Sequence, residues 1–190
     1  LGEMPTIDLA GHYVMPGLCD MHTHLSYTEC LSDQAVQDEL FLYLAHGVTT
    51  IRNMSGSAWY IVTRDRIRRG ELLGPRLFTT GPILETIQTH DAIKPPSIKL
   101  LATADEARAE VFAEKSAGYD FIKVYNQTSR DVFHAIMDAA GELDISVIGH
   151  VSIDAGLEDV LARRQASIEH LRGIDLELSS NPRDPAMTVR

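Results

Sequence analysis

The stretch GLCDMHTHLSY, Gly17–Tyr27, follows the apolar run Val14-Met15-Pro16 and sets His22 and His24 one residue apart. In an extended segment, residues i and i+2 point the same way, so both imidazoles can enter one cavity. A buried imidazole without a partner is costly, so such a pair asks for something to bind. Outward from this stretch, apolar strand-like runs alternate repeatedly with amphipathic helical ones, with turn residues between them. That beat predicts an α/β fold.

The first strand is read around Leu18 to His22. A helix from about Asp33 to His46 follows, capped by Ser32 and closed by Gly47. VTTIRNM, 48–54, makes a second strand, and a helix runs from after Ser57 to about Gly70. The third strand is Arg76 to Gly81. Residues Pro82 to Ala102, with Pro95 and Pro96, show little periodicity and read as a long loop. Thr103 and Glu106 form a capping box for a helix ending near Gly118. YDFIKVY, 119–125, is the fourth strand, and Ser129 caps the helix after it. ISVIGH, 145–150, is the fifth strand, a helix spans about Ala155 to Arg164, and ASIEHL, 166–171, is the sixth. Strands that read as near-continuous apolar runs fit a parallel sheet covered on its outer face.

Composition narrows the class. A chain of 190 residues that is 44% hydrophobic can bury a sizeable core. Its net charge of -10 argues against a duplex nucleic-acid surface. No stretch approaches the roughly 20 apolar residues of a membrane helix. Cys19 and Cys30 make no disulfide framework, and Cys19 falls in a run read as buried strand, so a reduced, cytoplasmic setting is expected. The chain starts at Leu1 rather than Met, so an upstream segment is expected as well.

In parallel barrels the reactive groups gather at the C-terminal ends of the strands. Here the first strand ends in His22 and His24, the fourth carries Lys123, the fifth ends in His150 and the sixth in His170. Four imidazoles in one cavity would repel if protonated, whereas each neutral ring offers a lone pair suited to zinc or a similar divalent ion. A lysine ammonium has no lone pair. Deprotonated by burial, Lys123 could take up carbon dioxide and become a carbamate whose two oxygens bridge two metals. His90 in the long loop, and Tyr125 and Asn126 after the fourth strand, are candidate substrate contacts. His12, His46 and His134 are given no role, Trp59 and Phe41 are read as packing residues, and RDRIRRGE, 64–71, as a solvated helix face.

The motifs VMPGLCDMHTHL, LAHGVTTIRNMSG, GPRLFTTGPIL, DFIKVY, GHV and SIEHL together resemble the amidohydrolase superfamily, over roughly Ile7 to Asp175. IKVY, GHV and SIEHL look most like its prolidase and imidazolonepropionase-like members. The resemblance implies a TIM-type (β/α) barrel, here incomplete with about six β/α units. Residues 17–178 would form that partial barrel, residues 1–16 a remnant of a small β-sandwich subdomain, and residues 179–190 an irregular tail. It further implies that His22 and His24 bind the more buried metal, His150 and His170 the second, and carbamylated Lys123 bridges them, the metals being two zinc ions. A metal-bound hydroxide would then cleave an amide or other C–N bond of a small molecule, dipeptide-like or a cyclic amide. The proton-shuttling aspartate that such enzymes carry at the end of strand eight has no counterpart in these residues. The open barrel edges imply a homo-oligomer or a missing C-terminal segment to cover them. One competing reading is a catalytically inactive partial barrel that binds only metal or partners. Another is a mononuclear deaminase with Lys123 unmodified.

Overall fold

The computed structural model describes residues 6–26, 32–87 and 97–174. Its elements run β1 (Leu18–Thr23), α1 (Asp33–Ala45), β2 (Val48–Asn53), α2 (Ala58–Arg68), β3 (Arg76–Glu85), β4 (Ile98–Leu100), α3 (Ala104–Ala117), β5 (Phe121–Val124), α4 (Arg130–Glu142), β6 (Ser146–Gly149), α5 (Leu157–Ala162) and β7 (Ser167–Ile168), with a 3-10 turn at Glu169–Leu171. All strand pairings are parallel, and β1, β2, β3, β5, β6 and β7 lie side by side in chain order. Helices alternate with the strands, so the sheet is the curled, incomplete TIM-type barrel of about six units that the sequence predicts.

Local chemistry accounts for most element ends. The Ser32 hydroxyl accepts from the Ala35 N–H at 3.2 Å, capping α1. The Thr103 hydroxyl accepts from the Glu106 N–H at 3.2 Å, and the Glu106 carboxylate reaches back to the Ala102 N–H at 2.7 Å, so the capping box of α3 is present. Ser57 and Ser129 precede their helices but make no side-chain cap bond. At α4 an acceptor from the next loop takes that place, the Asp154 carboxylate, which receives the Arg130 N–H at 2.7 Å.

Two apolar cores seat the helices on the sheet. Leu40 of α1, Tyr60 of α2, Ile51 of β2 and Leu77 of β3 form one. In the other, α4 lays down Val132, Phe133, Ile136, Ala139 and Ala140 at helical spacing against Ile122 of β5 and Val147 of β6.

Several sequence expectations are corrected. The long loop begins later than Pro82, because β3 runs on to Glu85, and β4 lies inside the span read as loop. A strand has two edges. Along one, β3 pairs with β2 up to Thr79 and then, beyond the end of β2, with β4 at Ile83–Glu85; β5 takes the other. Pro95, Pro96 and His90 lie outside the described residues, as does the tail expected at 179–190. Cys19 is exposed rather than buried, since among the described residues β1 has β2 as its one sheet neighbour and half of its residues are exposed. Phe41 of α1 is 52% exposed, so it is not part of either buried core. Arg64 is no solvated residue: it is buried and donates to Asp120 Oδ2 at 2.9 Å and to the Gly118 carbonyl at 2.8 Å, tying α2 to the start of β5. The remaining arginines of that run do lie outside, Arg66 paired with Asp33 and Arg69 with Glu71. Residues 6–17 are exposed and lie outside the strands of the described sheet. No helix among the described residues is long and apolar enough to cross a membrane.

Candidate metal centre

β1 delivers His22 near its end and His24 one residue beyond it, and the alternation of the strand turns both rings the same way: their Nε2 atoms lie 3.2 Å apart. The His170 ring, just past β7, sits 4.3 Å from that of His22, and the His150 ring, just past β6, sits 5.5 Å from His170. Four imidazoles from three distant segments therefore form one run of ring contacts at the C-terminal ends of the strands.

The position of His150 depends on the glycine before it. Gly149 has φ +135°, and a Cβ there would lie 2.1 Å from the Val124 carbonyl oxygen, so another residue would push β6 off β5. Without that Cβ the strands close, and the His150 N–H donates to the same carbonyl at 3.1 Å. Tyr125 stacks on the His150 ring at 4.2 Å and holds its plane.

Lys123 of β5 is 1% exposed. Burial pulls its ammonium down to about 8, Glu169 opposing and Arg52 assisting. Burial likewise lowers His150 to about 3, helped most by the charge of Lys123, and His24 to about 4, helped by His22 and then Lys123. His170 is shifted down for the same leading reason. At neutral pH the rings of His24 and His150 are thus uncharged and keep a lone pair for a cation.

Sequence reasoning passed over two residues that organise this cluster. Glu169 accepts from His22 Nδ1 at 2.8 Å with one oxygen, and from Arg52 Nη2 at 2.8 Å and the Ser167 hydroxyl at 2.5 Å with the other. Burial raises the Glu169 carboxyl, but those hydrogen bonds and the charges of Arg52 and Lys123 outweigh it and hold the group down to about 2. Arg52 Nε donates to the Met21 carbonyl at 2.7 Å, and its guanidinium lies 5.6 Å over the Phe121 ring. The available signal was a charge of each sign inside otherwise apolar runs, Arg52 in VTTIRNM and Glu169 in ASIEHL.

Tyr125 is placed at the cluster by its stack on His150. Asn126 is buried with Oδ1 unpartnered, and it lines a cleft of about 460 Å³ with Thr86, Gln127, Ser129 and Asp154. His134 pairs with Asp159 at 2.5 Å and His46 Nδ1 with the Leu42 carbonyl at 2.7 Å, away from the cluster. Among the described residues no group of three or more His, Cys, Asp or Glu side chains is set to hold a metal ion by itself. The donor chemistry nonetheless fits a divalent cation: a facing His22–His24 pair, and a His150 Nδ1 that is buried with no partner among the described residues.

A parallel, helix-covered partial barrel with histidines clustered on its C-terminal rim defines a class of metal-binding (β/α) folds. Within it, the amidohydrolase family matches residues 13–179, and the chain belongs to that family, whose members bind divalent metals. A bottromycin amidohydrolase is similar at 28% identity and TM-score 0.72 over 87% of this chain and 35% of its own. A Bifidobacterium longum protein assigned as a prolidase is 32% identical, with TM-score 0.63 over 78% of this chain and 38% of its own. A Xaa-Pro dipeptidase shares the fold at 20% identity, with TM-score 0.59 over 80% of this chain and 46% of its own. The chain thus spans less than half the length of these structures. No curated protein matches it in sequence.

Proposed function

We propose that this chain carries the metal centre of a hydrolase that cleaves an amide or other C–N bond of a small molecule, dipeptide-like or a cyclic amide. The single observation that carries this reading is the meeting of His22, His24, His150 and His170 at one rim with the buried Lys123. His22 and His24 would hold one metal, His150 and His170 a second, with zinc as the ion of choice for imidazole donors. When bound, such ions acidify water and polarise a carbonyl.

The chain's own residues prepare the site. Burial of Lys123 favours its neutral amine, which can add to carbon dioxide; the N–C bond forms, one proton leaves, and the carbamate anion gains two oxygen donors where the ammonium had none. Tyr125 fixes the plane of His150. Asn126 lines a cleft with Thr86 and Ser129, which supports a substrate contact there. Relatives assigned as a prolidase and a bottromycin amidohydrolase support an amide substrate. Among the described residues the outer edge of β1 has no partner strand, which supports pairing with a second copy or a further chain segment. Cys19 is free among the described residues, which supports a reducing, cytoplasmic setting.

The test is zinc-loaded protein assayed against a panel of Xaa-Pro dipeptides and N-acyl amino acids. Hydrolysis that chelation abolishes and zinc restores is the expected result. Two bound zinc ions without turnover would support the inactive, metal-binding barrel, and one zinc per chain the mononuclear deaminase.

A further inference from the structure

Glu169 stands where three strands meet. Its carboxylate touches His22 of β1, Arg52 of β2 and Ser167 of β7, and the next residue in the chain is His170. His170 and Leu171 both sit in the left-handed region, at φ 58° and 56°, an arrangement that costs non-glycine residues energy and persists where surrounding contacts force it. Glu169 leads into this turn, and its carbonyl accepts from the Arg172 N–H at 3.1 Å and closes it.

We propose that Glu169, anchored by Arg52, is a positioning residue that sets two metal-binding histidines at once. By accepting at Nδ1 of His22, it keeps a ring proton on that nitrogen and leaves Nε2 facing His24. By tying the start of the strained turn to β1 and β2, it aims the His170 ring at His22. Arg52 is the strut, since its second bond, to the Met21 carbonyl, joins the carboxylate to the backbone beside His22. This inference rests on the metal reading of the site, but the tautomer of His22 can be measured without any metal.

The experiment compares wild type with Glu169→Ala, Glu169→Gln and the double variant Arg52→Leu/Glu169→Leu. The double variant matters because Glu169→Ala strands a buried guanidinium, whereas removing both charges leaves none uncompensated. Nitrogen chemical shifts of the imidazoles, read in metal-free protein at alkaline pH, report the tautomer; calorimetry reports zinc affinity. In wild type, His22 is expected to carry its proton on Nδ1. In Glu169→Ala and the double variant, the proton shifts towards Nε2 and zinc binds about 10- to 100-fold more weakly. Glu169→Gln, which still offers Nδ1 an oxygen, retains the tautomer and recovers part of the affinity. An Nδ1–H tautomer that survives in both the Ala and the double variant overturns the positioning role, as does zinc affinity unchanged in both. Wild type that binds no zinc overturns the metal reading, and the tautomer shift then decides the positioning role by itself.

Discussion

Replacing Glu114 by glutamine should make this protein's stability fall less as pH rises above 4.5. Glu114 lies on the inner face of α3 at 2% exposure, and neither carboxyl oxygen has a hydrogen-bond partner among the described residues. It fills the space left by Gly81 of β3, where a Cβ would stand 2.3 Å from the Glu114 carboxyl carbon. Burial raises its pKa well above the ordinary 4.5; Glu110 adds to the rise and Lys99 opposes it. The folded protein therefore keeps a proton that the unfolded chain releases once pH passes 4.5. Between those two pKa values the native state binds more protons, so stability is lost as pH rises, at up to about 1.4 kcal/mol per pH unit. Glu114→Gln keeps the shape and cannot ionise. Its buried amide imposes a pH-independent cost of about 1–3 kcal/mol, and the difference between the proteins should then swing in the variant's favour with the slope above. Urea unfolding of both proteins at a series of pH values from about 5 upward measures that difference, all other titrations being common to the two. A difference that stays flat across the series would refute the reasoning, because it would mean that the Glu114 carboxyl ionises in the fold as freely as in the unfolded chain.

Two further outcomes follow from other groups. If Lys123 is carbamylated, added bicarbonate should raise the zinc content of wild type and not of Lys123→Met, and the gain should grow as pH climbs through about 8, where the neutral amine becomes the main form; elemental analysis after gel filtration reads this, and bicarbonate-independent zinc content would speak against the carbamate. Thr103→Ala should remove the cap of α3 and cost about 1 kcal/mol, seen as a lower thermal midpoint, with Thr103→Ser restoring most of it.

The sequence by itself determined the features that are coded locally. The alternation of apolar runs and amphipathic stretches gave the β/α order, Ser32 and the Thr103/Glu106 pair marked two helix starts, and the i, i+2 spacing put His22 and His24 on one side. Periodicity and capping involve neighbours a few residues apart, so they can be read without knowing the fold. The tertiary structure alone decided which side chains are covered and which charges meet. Cys19 and Phe41 face solvent because of where β1 and α1 sit, whereas Arg64 is buried because Asp120 lies opposite it. β4 exists because β2 stops short of the end of β3. Arg52 and Glu169 are 117 residues apart, and their pairing beside the histidines has no local signature, since a hydrogen bond between distant segments depends on the curl of the whole sheet rather than on either segment's own pattern.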